Sequence, residues 1–144
     1  MEYSILLIED DKNDRVLIKR AFSKANIVNS LQIVKNGEEA VDYLSGKGDF
    51  SDRDKYPLPI LILLDLKLPR KSGYEVLSWI RQQPGFKRIP VIVFTSSEQI
   101  SSINKAYELG ANSYLVKPIT FDALLNMIKT LNLYWLILNK MPEV

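Results

Sequence analysis

Acids, hydroxyls and an amine stand where apolar runs of this chain stop. Glu9, Asp10 and Asp11 follow Ile5–Ile8, Asp65 follows Ile60–Leu64, Thr95 and Ser96 follow Val91–Phe94, and Lys117 follows Tyr114–Val116. Carboxylates gathered within a few ångströms repel, and their pKa values rise unless a cation intervenes. Histidine and cysteine are absent. That excludes imidazole and thiolate metal sites and Ser-His-Asp or Cys-His nucleophiles. A metal here must be held by oxygen, which points to a hard cation such as Mg²⁺. Mg²⁺ takes one or two carboxylates, a carbonyl and waters, and leaves room for phosphate oxygens. A carboxylate can then act as nucleophile and become an aspartyl phosphate. The metal, Lys117 and the Thr95 hydroxyl would each neutralise one oxygen of the transferring group.

Each residue alone has a plainer reading. Acids in a first helical turn favour the helix dipole by ~0.3–1 kcal/mol each, and Asp11 or Asp14 could do only that. A lysine before proline is usually a solvated charge, and a threonine at a strand end often caps a turn. Joint placement at one sheet edge argues for chemistry instead.

The elements that would position these residues alternate. Strand candidates are Ile5–Ile8, Leu31 to Val34, Ile60–Leu64, Val91–Phe94 and Tyr114–Val116. Helical spacing follows each. Asn13 to Ala25 carries Val16, Leu17, Ala21 and Phe22; Glu38 to Leu44 follows the Asn36-Gly37 turn. Gly73 to Gln83 ends at Pro84-Gly85, and Glu98 to Leu109 ends at Gly110, a C-cap candidate. Phe121 to about Asn139 follows Thr120 as N-cap. The segment "SGKGDFSDRDKYPLP", Ser45 to Pro59, reads as a surface loop. The alternation implies βαβ units and an α/β fold, a parallel sheet doubly wound by helices on both faces. In such sheets sites form at the carboxyl ends of the strands.

The 144 residues suffice for one domain with a real core, expected over 1–144. Apolar residues are 47% and charged residues 25%, ordinary for a soluble globular chain. A net charge of +2 makes no electrostatic case for nucleic acid. The N-terminus lacks a signal-peptide pattern, and no apolar run reaches the ~18 residues of a membrane span. Cytoplasmic localisation is expected, with no membrane partner and no direct DNA binding.

In order along the chain, "IEDD", "LLDLKLPRKSGYEVL", "VFTSS" and "YLVKP" resemble a bacterial response-regulator receiver domain, from Ser4 to about Leu131. Thirty residues separate Asp65 from Thr95 and twenty-two separate Thr95 from Lys117, both typical of that family. The resemblance implies a flavodoxin-like (βα)5 fold, a five-stranded parallel sheet in the order 2-1-3-4-5. It makes Asp65 the phosphoacceptor and Glu9 and Asp10 the acidic pocket for Mg²⁺, with a backbone carbonyl from Lys67. It makes Thr95 and Tyr114 a switch pair and Lys117 the phosphoryl contact, with Lys117-Pro118 cis. Asp11 receives no metal role. The long loop and the ending "LNLYWLILNK" resemble the small regulators paired with cyanobacterial phytochromes. A stand-alone regulator served by a sensor histidine kinase, a phytochrome among the candidates, is therefore expected.

The chain ends without a DNA-binding domain, so output is expected through protein contacts. On the last helix, Leu124, Ile128, Leu131, Trp135 and Leu138 form one stripe; Met127, Tyr134, Ile137 and Met141 form a second about 100° around. One stripe suits the core. The other, with Trp135, suits a symmetric homodimer interface. Three competing readings are weaker. Aspartate-nucleophile phosphatases need a second Asp two residues after the nucleophile, where Lys67 stands, so a turnover enzyme is not expected. A flavin module needs a hydroxyl- and glycine-rich phosphate loop where acids stand here. A receiver-like interaction or dimerisation module independent of phosphorylation is the alternative, opposed by the intact Asp65, Thr95 and Lys117.

Overall fold

A computed structural model describes residues 4–143. Five strands, β1 (Ser4–Ile8), β2 (Ser30–Val34), β3 (Pro59–Leu64), β4 (Val91–Thr95) and β5 (Ser113–Val116), form one sheet in the order β2-β1-β3-β4-β5. All neighbours pair in parallel; Ile8 stands opposite Val34 on one side and Leu64 on the other. The order reverses between β1 and β3, so a crevice opens at their carboxyl ends.

Five helices cover the two faces: α1 (Lys12–Lys24), α2 (Gly37–Ser45), α3 (Gly73–Gln82), α4 (Ile100–Glu108) and α5 (Phe121–Leu131). Successive strand residues point to opposite faces. Ile5, Leu7, Leu61, Leu63, Ile92 and Phe94 therefore pack with Ile18, Phe22, Leu124 and Ile128 of α1 and α5. Leu6, Ile8, Ile62, Leu64 and Val91 pack with Leu44, Val76, Leu77 and Ile80 of α2 and α3. Both faces are covered, which is why β1, β3 and β4 read as unbroken apolar runs. The α1 face differs from expectation: Ile18, Ala21 and Phe22 are buried, whereas Val16 is 57% and Leu17 37% exposed. The helix starts at Lys12, and its contact arc is centred on Ile18.

Local chemistry sets the helix starts. Asp11 caps α1 by accepting from the Asp14 N–H, Asn36 caps α2, Ser72 caps α3 and Thr120 caps α5. The expected loop from Ser45 contains a 3₁₀ turn, Gly48–Phe50, and closes onto Tyr43 through Phe50 and Tyr56. Arg53 pins it by donating to the carbonyls of Tyr43, Leu44 and Tyr56.

The last helix reaches the expected length but changes winding. After Leu131 it becomes π-helical over Asn132–Leu138, with the Asn139 N–H donating to the Tyr134 carbonyl five residues back. The wider turn brings Trp135 and Leu136 onto the α1/α5 core and turns Leu138 out, 60% exposed. Leu138 thus leaves the core stripe that α-helical spacing assigned to it. Among the described residues, no helix is long and apolar enough to cross a membrane.

Candidate phosphorylation site at the strand ends

Asp65 lies immediately beyond β3 and is 6% exposed; Glu9, immediately beyond β1, and Thr95, the last residue of β4, are fully buried. The sheet fixes their spacing, because the Asp65 N–H donates to the Ile8 carbonyl and the Lys117 N–H to the Thr95 carbonyl. Gly73 lets α3 start against this edge. A Cβ there would stand 2.3 Å from the Asp65 carbonyl oxygen and 2.6 Å from Leu66 Cα.

The two oxygens of Asp65 are held differently. Oδ1 accepts from the Thr95 hydroxyl at 2.8 Å and from the Lys67 N–H at 3.2 Å. Oδ2 accepts from Lys117 Nζ at 2.9 Å. The same ammonium donates to Asp14 Oδ2 at 2.8 Å and stands 2.5 Å from Glu9 Oε1. That last approach is out of line for a hydrogen bond, and Glu9 Oε1 is buried with no hydrogen-bond partner among the described residues. Glu9 Oε2 accepts from the Asp11 N–H.

The charges respond to this geometry. Burial raises the Glu9 carboxyl to about 7, with further elevation from the Asp65 charge, against the opposing pull of Lys117. Burial also pushes Asp65 upward, but hydrogen bonds and charge from Lys117, with the Thr95 hydroxyl, hold it below the usual carboxylate range. Lys117 is raised despite burial, because Asp14, Glu9 and Asp65 all stabilise its charge. One oxygen each from Glu9, Asp10 and Asp65 lie within 4.8 Å of one another. Two buried carboxylates, an exposed third and no softer donor make a set that fits a hard divalent cation.

The remaining residues fall as follows. Tyr114 sits on β5 beside Leu66, Val93 and Ala106, and its hydroxyl donates to the Ser97 carbonyl at 2.9 Å. Burial raises its phenol. The Lys117-Pro118 bond, expected cis, is trans, as are all peptide bonds among the described residues; trans is the lower-energy X–Pro state by ~0.5–1 kcal/mol. Tyr134 and Ile137 of the expected dimer surface are exposed; Met127 and Trp135 pack partly on their own core, and Met141 is half-buried.

Two site residues escaped the sequence reading. Asp14 had appeared only as a helix-dipole acid, yet it reaches Lys117. Arg15 donates to the carbonyls of Asp10, at 2.6 Å, and Glu9, at 3.2 Å, bracing the turn after β1. Their positions within the first helical turn were visible, but the direction of that turn across the sheet edge was not.

Comparison with known proteins agrees with this geometry. The model of the response regulator receiver domain matches residues 5–129. Response regulator Rcp1 of Synechocystis sp. is 39% identical over 132 residues, 92% of this chain and 88% of Rcp1. Its Mn(2+)-bound crystal structure superposes with a TM-score of 0.86 at 38% identity, over 97% and 99% of the two chains. The phosphorylated cyanobacterial phytochrome response regulator RcpA gives a TM-score of 0.91 at 35% identity, over 99% of this chain and 100% of RcpA. FilR2 of Methanothrix harundinacea, named as a probable methanogenesis regulatory protein, is 36% identical over 140 residues, 97% of this chain and 88% of FilR2. Fold, strand-end chemistry and sequence coverage converge, and the chain belongs to the response regulator receiver domain family.

Proposed function

We propose that this chain is a phosphorylation-controlled signalling switch whose acceptor is Asp65. The observation that carries the reading is the asymmetric setting of that carboxylate: Thr95 and the Lys67 N–H on Oδ1, Lys117 on Oδ2, with Glu9 and Asp10 alongside. An Asp65 oxygen attacks the phosphorus of a phosphohistidine on a sensor kinase. The P–N bond breaks as the P–O bond forms, and the leaving imidazole nitrogen takes its proton from solvent. Asp65 starts as the anion because Lys117 and Thr95 hold its pKa down. Lys117 faces one developing phosphoryl charge, and the Thr95 hydroxyl follows another, drawing the Tyr114 region into the response.

Glu9, Asp10, Asp65 and the Lys67 carbonyl would hold Mg²⁺, which when bound neutralises part of the transferring group's charge. The Mn(2+)-bound form of Rcp1 supports a divalent ion. The phytochrome relationship of RcpA supports a phytochrome-type kinase as partner, while FilR2 is a probable regulator of methanogenesis. Output passes through protein contacts. Leu133, Tyr134 and Ile137 are each more than half exposed. They adjoin an apolar groove of about 410 Å³ lined by Leu115, Met127, Leu131, Tyr134 and Trp135, which supports a homodimer built on the last helix.

Incubation with acetyl phosphate and Mg²⁺, followed by intact mass measurement, tests the acceptor. A phosphoryl adduct of ~80 Da on wild type, lost on Asp65→Asn or with EDTA, is expected from aspartyl-phosphate chemistry. No adduct on wild type, or an equal one on Asp65→Asn, would sink the reading.

A further inference from the structure

Lys117 carries one ammonium and faces three carboxylates from three different elements: Glu9 after β1, Asp65 after β3 and Asp14 in the first turn of α1. Asp14 and Asp65 receive its two aligned hydrogen bonds, at 2.8 and 2.9 Å. A phosphoryl group on Asp65 adds acceptor oxygens that compete for the same ammonium. The competition has an asymmetric answer. Glu9 and Asp65 are buried, so water cannot take the place of the ammonium on either. The Asp14 side chain is 35% exposed and can exchange the ammonium for water.

We infer that Asp14 is a positioning residue that parks Lys117 when Asp65 is unmodified and yields it to the phosphoryl oxygens on transfer. Asp14 therefore restrains phosphorylation, because the Lys117–Asp14 hydrogen bond must be given up as Lys117 turns to the incoming group. The inference rests on Asp65 being the acceptor. Geometry around Asp14 supports a specific contact over a general field effect. Asp11 accepts from the Asp14 N–H and so fixes the start of the turn, while no hydrogen bond or ion pair joins Asp11 to Lys117 among the described residues.

The test compares phosphorylation rates from acetyl phosphate with Mg²⁺ for wild type, Asp14→Asn, Asp14→Glu and Asp11→Asn. Asp11→Asn removes the same charge from the same helical turn and retains a capping side chain. Asp14→Asn is expected to raise the second-order rate at least threefold above both wild type and Asp11→Asn. Asp14→Glu, which retains the charge, should return the rate toward wild type. The wild-type rate should also rise with added salt, as a partly exposed ion pair is screened, and Asp14→Asn should lose that dependence. Equal rates for Asp14→Asn and Asp11→Asn, or a slower Asp14→Asn, would overturn the inference and leave the Asp65 reading standing. Absence of an adduct on wild type would overturn both.

Discussion

The Thr95 hydroxyl donates to Asp65 Oδ1 at 2.8 Å, a fully buried donor on a nearly buried carboxylate from the adjacent strand. A hydrogen bond to a charged group contributes about 1.5–3 kcal/mol. Thr95→Ala should therefore lower the unfolding free energy by about that amount, and Thr95→Ser should recover most of it. Urea denaturation of the three proteins measures this. An alanine variant as stable as wild type would show that the hydroxyl does not stabilise the Asp65 anion.

Gly73 makes a second prediction at the same edge. The Cβ of Gly73→Ala would meet backbone atoms of Asp65 and Leu66, which cannot rotate aside. Overpacking of this kind costs about 1–3 kcal/mol, and displacement of Asp65 should also slow phosphorylation. Gly85→Ala is the comparison, since a Cβ there meets nothing within 4 Å. Similar thermal midpoints for the two variants would argue against the close approach at Gly73.

The raised Glu9 carboxyl predicts a pH dependence of the metal-free protein. Its folded pKa, about 7, lies above its ordinary value of 4.5. The folded state therefore binds more protons than the unfolded state between those values. The stabilising contribution is full below about pH 4.5 and is lost as pH rises through about 7. Asp65 has the opposite sign, and its contribution is lost only in acid, below the usual carboxylate range. In EDTA the unfolding free energy should fall from pH 5 to pH 8 by on the order of 2–3 kcal/mol, and Glu9→Gln should flatten that slope. A wild-type profile that rises over this window would contradict the burial of an ionisable Glu9.

The π-helical turn separates exposed from packed side chains on the last helix. Tyr134 and Ile137 are exposed, whereas Trp135 packs partly on the α1/α5 core. Tyr134→Asp with Ile137→Asp should shift sedimentation from dimer to monomer and remove any dependence of the thermal midpoint on protein concentration. Trp135→Ala should instead cost stability, about 2 kcal/mol or more for a large, partly buried aromatic. A wild type that sediments as a monomer at high concentration would reject the dimer.

The sequence alone determined the order of elements and the place of Asp65, Thr95 and Lys117, because fully buried parallel strands write unbroken apolar runs and functional groups follow them. The cap at Thr120 was legible for a local reason, since it sits directly before its helix, whereas Asp11 read only as a first-turn acid and the Ser72 cap emerged from the structure. Tertiary structure decided the rest. That Asp14 meets Lys117, 103 residues away, depends on how α1 leaves the β1 edge. That Ile18 is buried while Val16 is exposed depends on where α1 crosses the sheet. The π winding after Leu131 breaks the very period that assigned Leu138 to the core. Spacing records which residues share a face of a regular element; the packing of one element on another decides which face is used and which distant charge it meets.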